Sequence, residues 1–323
     1  MKTYSAFQTL RRLLALSLLL ASCGILPAQN YTYPNTITVG NANWYPSDNI
    51  VPIITTQGNG GTGGFGLSDA DFVNPAAGLD AYDSGFAMGI NGSLFAPSSS
   101  AATFANNIFN SGVATYQGYT AQAQLTFYQS MPIVRALYTF HNTSASSVTL
   151  RLNWQMNLGS DANTAIRGTS SGGNGSVANG DRWFVSSDSG QGGAINTLVR
   201  FGQYAQITPT GQLLPAGGAD LLSDQYSLTL GAAGSGTDTL SLMMFGELGD
   251  VSGGLNPASA AAIANASMFN NFDTLGAAGL TNGLPNLNSI ENWGFVPEPS
   301  PLALLGGGAV VFLLFRRYTG RPV

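Results

Sequence analysis

The apolar positions of this chain fall mostly into short runs of period two. From Val148 to Leu158, Val148, Leu150, Leu152, Trp154, Met156 and Leu158 alternate with Thr149, Arg151, Asn153, Gln155 and Asn157. Strand side chains point alternately to two faces, so this pattern predicts a half-buried strand; on a helix the same residues would scatter round the axis. Just upstream, Val134, Ala136, Tyr138 and Phe140 alternate with Arg135, Leu137 and Thr139, and the polar stretch His141 to Ser147 follows. Together the two runs predict a long β-hairpin. Shorter runs of the same kind lie at Ile37 to Val39, Ala123 to Phe127, Trp183 to Val185, Tyr226 to Leu230 and Leu240 to Met244, separated by Gly-, Asn- and Ser-rich spacers. Helices that would turn a parallel sheet are missing between them. The expected fold is therefore all-β, an antiparallel β-sandwich with a barrel as the alternative.

Two stretches break the pattern. Ser98 to Ser100 could cap a helix running through Phe104 and Ile108, and Asn256-Pro257 sets a cap residue and a first-turn proline before an Ala-rich run ending near Phe269. Both are expected as short helical excursions from the β fold.

The two ends have a different character. Lys2, Arg11 and Arg12 precede the apolar run Leu13 to Leu20, the order of a cationic and a hydrophobic region in an export signal. Residues 1–28 are thus expected to be a signal peptide, handled by the Sec machinery. Two processing routes stay open: ordinary cleavage near Ala28, or acylation of Cys23, because Leu20-Ala21-Ser22-Cys23 resembles a bacterial lipobox.

At the other end, Val296-Pro297-Glu298-Pro299-Ser300 is followed by an uncharged apolar run over 301–315 and then by Arg316-Arg317. This order resembles the PEP-CTERM sorting tail. The resemblance covers residues from about 296 to 323 and implies that an exosortase, a membrane-embedded cysteine protease or transpeptidase, recognises the tail and releases or transfers the protein. Fifteen residues in a helix rise about 22 Å, short of the roughly 30 Å apolar core of a bilayer. Gly306, Gly307 and Gly308 weaken such a helix further. A marginal transmembrane helix suits a segment that is handed to an enzyme and removed. Arginines stay on the cytoplasmic side, which puts the preceding chain outside the inner membrane.

The chain thus divides into a signal segment, an extracytoplasmic β-sandwich over 29–290, and a tail over 291–323 made of motif, span and a basic end at 316–323. The expected precursor is tethered to the inner membrane, and the mature protein lies at the cell surface or outside the cell. The stretch Val134 to Asp188, with Asn157 to Asp161 reading N-L-G-S-D and Asp181 to Trp183 reading D-R-W, is similar to β-sandwich regions of other proteins that carry this tail.

Charge then removes several functions. Only 8 % of residues are charged, against about 25 % in ordinary soluble domains. Between the termini, five arginines face fifteen acids from Asp48 to Glu291, a net charge of −10 over residues 29–296. Such a body repels nucleic acid and anionic lipid. The single cysteine, Cys23, excludes an intrachain disulfide and a thiolate metal cluster.

Candidate chemistry is sparse. His141 is the only histidine, which excludes multi-histidine metal sites. No catalytic residue is expected. The rival is a secreted carbohydrate-active enzyme that uses a pair of aspartates, for which Asp161, Asp181 and Asp188 lie near strand ends. Those same residues also suit the ordinary task of fixing turns by accepting hydrogen bonds from loop amides. Asp69, Asp71, Asp80 and Asp83 give dense oxygen ligands in a Gly-rich region, a candidate calcium site without the spacing of a full calcium loop. The Gly58 to Gly66 run lacks a following lysine and helix, so it is no phosphate loop. The expected function is that of an exported, non-enzymatic, surface- or matrix-associated protein in contact with exopolysaccharide; the alternatives are the aspartate-pair enzyme and a lipoprotein acylated at Cys23.

Overall fold

The structure is a computed structural model that describes residues 36–50, 64–74, 77–97, 102–160, 163–189, 194–284 and 286–295. The export segment with Cys23, the motif 296–300, the span 301–315 and Arg316-Arg317 lie outside the described residues, as does Asp161. Among the described residues no helix is long and apolar enough to cross a membrane.

Strands make most of the fold, and they form two antiparallel sheets. The first contains β1 (Ile37–Val39), β2 (Ala42–Ile50), β3 (Gly64–Asn74), β4 (Ala77–Ile90), β5 (Ser93–Leu94), β11 (Val148–Leu158), β15 (Thr210–Leu213) and β16 (Leu221–Leu230). Its order is β1-β2-β3-β4-β11-β16-β15, with β5 hydrogen-bonded to β4. The second contains β6 (Thr103–Ala105), β7 (Ile108–Asn110), β8 (Ala114–Tyr116), β9 (Tyr119–Phe127), β10 (Ile133–Asn142), β12 (Thr164–Thr169), β13 (Trp183–Asp188), β14 (Ile195–Val199) and β17 (Thr239–Gly249). It runs β12-β13-β14-β17-β10-β9-β7-β6, with β8 on β9.

The sheets share one core. From the first come Trp44, Leu67, Tyr82, Leu150, Leu152, Trp154 and Met156; from the second, Leu125, Phe127, Val134, Tyr138, Leu242 and Met244. Phe65 stacks on Phe109 across the interface at 4.7 Å, and Trp44 meets Phe127 at 6.0 Å. The all-β, antiparallel expectation therefore holds. The alternation of β11 also survives: its even positions from Leu150 onward are wholly buried, while Thr149 and Arg151 face outward.

The predicted hairpin does not form. β10 pairs with β9 and β17, whereas β11 pairs with β4 and β16 in the opposite sheet. The connection between them is an arch across the core. Buried Asn142 holds it: its amide donates to the carbonyls of Ser146 and Gly231, and its carbonyl accepts from the Ser144 amide. Alternation states which side chains face inward; in an arch and in a hairpin those inward sets are the same.

The helix expected through Phe104 and Ile108 is replaced, over the described part, by the β6–β7 hairpin. Asn106 and Asn107 occupy the left-handed region at φ 52° and 61°, the geometry of a two-residue turn that suits strand twist and that asparagine tolerates. The Ala-rich helix does form, as α1 (Leu255–Asn265), continued by a 3-10 turn over Ala266–Phe269 and followed by α2 (Phe272–Ala277). Asn271 caps α2 with a full capping box to Thr274.

These helices cover the outer face of the second sheet. Leu137, Val199, Met243 and Phe245 pack there against Phe269, Leu275 and Trp293. That layer explains why β10 is buried on both faces over most of its length. Arg135, read as an outward residue, has no exposed surface; its guanidinium donates to the Leu280 and Asn282 carbonyls at 2.8 and 3.1 Å. The packed chain reaches Trp293, whose indole donates to the Met243 carbonyl.

Candidate functional site

Three of the four acidic residues at the β3–β4 hairpin meet, through a bulge. Asp69 and Asp71 share one face of β3 because they are two residues apart. On β4 the register shifts: Ala70 lies opposite Tyr82, and Asp71 lies opposite Asp80. The extra residue lets both Ala81 and Tyr82 bury their side chains while Asp80 turns outward. The result gathers carboxylate oxygens of Asp69, Asp71 and Asp80 within 4.8 Å of one another. Tyr45 on β2 donates its hydroxyl to Asp71 Oδ2 at 3.0 Å.

Like charges on adjacent strands oppose each other. The Asp69 carboxyl is pushed up to about 6, first by burial and then by repulsion from Asp71 and Asp83. Burial first, and then Asp71 and Asp69, also raise the Tyr45 hydroxyl. Asp83 acts on this group electrostatically but lies outside the trio of close oxygens. One oxygen from each of the three carboxylates comes together here, donors of the type a hard cation takes, while Oδ2 of Asp71 already accepts from Tyr45.

Of the aspartates considered for catalysis, the two among the described residues, Asp181 and Asp188, do not converge. Asp181 precedes β13 and Asp188 ends it, and the strand alone spans roughly 16 Å at about 3.3 Å per residue. That exceeds the 5 to 10 Å, roughly, between paired glycosidase carboxylates. Asp181 is also fully engaged: its oxygens accept from the Ser171 and Ala178 amides at 3.1 and 2.7 Å. Burial works to raise this carboxyl, but those donors and the Ser171 and Thr169 hydroxyls outweigh it and hold it below its ordinary value. It fixes a loop. His141 sits at the exposed end of β10, its Nδ1 2.9 Å from the Thr239 hydroxyl.

Two further features were not legible in the sequence. Arg200, just beyond β14, and Asp224 on β16 form a wholly buried ion pair, with both guanidinium–carboxylate contacts at 2.6 Å. Arg200 also donates to the Ala178 and Asp181 carbonyls, and its own carbonyl accepts from Tyr226 and Asn292. It thereby ties both sheets, the Asp181 loop and the C-terminal segment together.

The second is a cleft of about 600 Å³ between the β1–β2 turn, the segment before β10, the end of β17 and α1. Glu247 of β17 lines it with only 7 % of its surface exposed. One carboxyl oxygen accepts from Asn265 at 3.3 Å; the other, Oε2, has no partner in the protein. Burial pushes this carboxyl up to about 7, the Asn265 contact opposing the shift. Glu247 as the one charged residue of β17 was the available signal. Only the folded arrangement shows that α1 seals it on one side.

No protein-family model and no curated protein matches the chain. Among solved structures a polysaccharide lyase is similar, with a TM-score of 0.40 and 11 % identity over 71 % of this chain. The chain spans about a third of that lyase, 35 % of its length. At this level the likeness carries no argument about activity.

Proposed function

We propose that this chain is an exported, non-enzymatic β-sandwich protein of the cell surface or extracellular matrix, sorted by an exosortase and in contact with exopolysaccharide. The reading rests on one observation: Pro297-Glu298-Pro299, an apolar run over 301–315 and Arg316-Arg317 stand in that order directly behind a β-rich body. The precursor is held in the inner membrane by the apolar segment, after passage through the Sec machinery, and is released or transferred once the exosortase acts. A binding or scaffolding task is supported by Asp181, Arg200 and Asp224, which spend their hydrogen bonds on holding loops and sheets together. Calcium at Asp69, Asp71 and Asp80 would relieve the repulsion among those carboxylates and stiffen the β3–β4 hairpin.

Intact-mass analysis of the protein in its native host, with and without the exosortase, tests the sorting. Alanine at Pro297, Glu298 and Pro299 together is expected to leave the full-length form in the membrane fraction; unchanged processing would refute the reading. The same spectra decide between the two leader routes, since acylation makes Cys23 the first residue.

A further inference from the structure

The chain is clasped into the body right up to the sorting motif. Asn292 is wholly buried; its amide donates to the Arg200 and Met243 carbonyls at 3.0 and 2.8 Å, and its carbonyl accepts from the Met243 amide at 2.9 Å. Trp293 packs edge-on against Phe245, and the Gly294 carbonyl accepts from the Phe272 amide. Any side chain at Gly294 would collide with the Tyr204 carbonyl. Phe295 then emerges from the helical layer, 43 % exposed, with its ring 4.9 Å from that of Phe272.

The tether beyond this point is short. Pro301, where the apolar run starts, is six residues past Phe295, so even a fully extended chain reaches about 22 Å at most. The headgroup layer on one side of a bilayer takes up about 6 Å of that reach. Turning the molecule over would put both sheets between Phe295 and the lipid, roughly 10 Å for each packed layer. The tether is too short to pass two such layers and the headgroups as well.

Charge points the same way. Residues 251–295, which supply the helices and the clasp, hold two charged side chains, Asp273 and Glu291. Exposed positions of α1 include Pro257, Ala260, Ala261 and Ala264. Such a surface gives up little hydration when it meets a bilayer, whereas the first sheet's outer face carries Asp69, Asp71, Asp80 and Arg151. No Lys or Arg lies between Arg200 and Arg316, so the layer has no pull on anionic lipid and suits a zwitterionic one.

We infer that, in the membrane-held precursor, the helical layer around Phe295 lies against the lipid headgroups while Asp69, Asp71 and Asp80 face away from them. The inference rests on the reading of 301–315 as a membrane span.

The test places a fluorescent dye on one introduced cysteine in the full chain carrying Cys23→Ser, which has no other cysteine. Precursor from a host without exosortase is reconstituted in phosphatidylcholine vesicles with a nitroxide quencher on some headgroups. Gln203→Cys labels the exposed residue next to Tyr204, and Ser227→Cys labels the exposed outer face of β16. The quencher should dim the dye at position 203 several-fold more than the dye at position 227. A Gly-Ser insert of about twenty residues between Phe295 and Val296 adds roughly 25 Å of mean reach and should erase most of that contrast. The insert leaves the body untouched, so its melting midpoint should match that of the native chain. Equal quenching at the two positions, in protein that floats with the vesicles, would overturn the inference and leave the span standing. A contrast that the insert does not reduce would overturn it too. Protein that fails to float with the vesicles would remove the span and the inference with it.

Discussion

Removing the charge of Glu247 should make the protein more stable at neutral and alkaline pH and change little in acid. The side chain is nearly sealed between β17 and α1, and burial lifts its carboxyl from 4.5 to about 7. A folded-state value above the unfolded one means that the fold holds the proton more tightly than the unfolded chain does. The native state is therefore penalised as pH rises: the penalty is absent below about 4.5, grows through the window from 4.5 to 7, and is complete above it. A shift of two to three units at about 1.4 kcal/mol each sets it at about 3 kcal/mol. The Tyr82 hydroxyl, which Glu247 raises, shares this field. Asp69 and Glu291 are also raised, so the native profile alone mixes several groups. The difference between the native chain and Glu247→Gln isolates one. Guanidinium unfolding of both at about pH 4.5, 6 and 8 should show near equality in acid and an advantage of about 3 kcal/mol for the Gln variant at the alkaline end. Parallel stability curves across that range would refute the premise that this carboxyl is desolvated.

Three other outcomes follow from the same physics. Arg200→Met should cost about 3–5 kcal/mol in denaturant unfolding by stranding Asp224, with much of the loss recovered in Arg200→Met/Asp224→Leu; a loss below about 1 kcal/mol for the single variant would contradict the buried pair. Calcium at about a hundredfold excess over its Kd should raise the stability of the native chain by about 2.7 kcal/mol and leave Asp71→Asn unmoved, as read by thermal melts with and without chelator. Asn107→Ala should destabilise the β6–β7 turn by about 1–2 kcal/mol, because Ala tolerates its positive φ poorly.

The candidate site was partly legible. Four aspartates within fifteen positions announced an acidic cluster, and spacing by two put Asp69 and Asp71 on one face. That Asp80 joins them, rather than pointing into the core beside Tyr82, depends on a bulge that no local pattern announces. Arg135 stood between the apolar positions of its run, and strand periodicity assigns a face without saying that a further layer covers it.

The division between the two levels has a simple cause. Period-two alternation acts within a few residues, so it determined the strands, their inward faces and the antiparallel all-β class; the proline and alanine run determined α1 just as locally. Strand partners, the arch between β10 and β11, the helical layer over the second sheet and the Glu247 cleft were decided by contacts between residues far apart in the chain. Such contacts are chosen by the packing of whole faces, and many pairings satisfy the same alternation. Only the burial of Trp154, Tyr138 and Phe245 in their particular surroundings selects one of them.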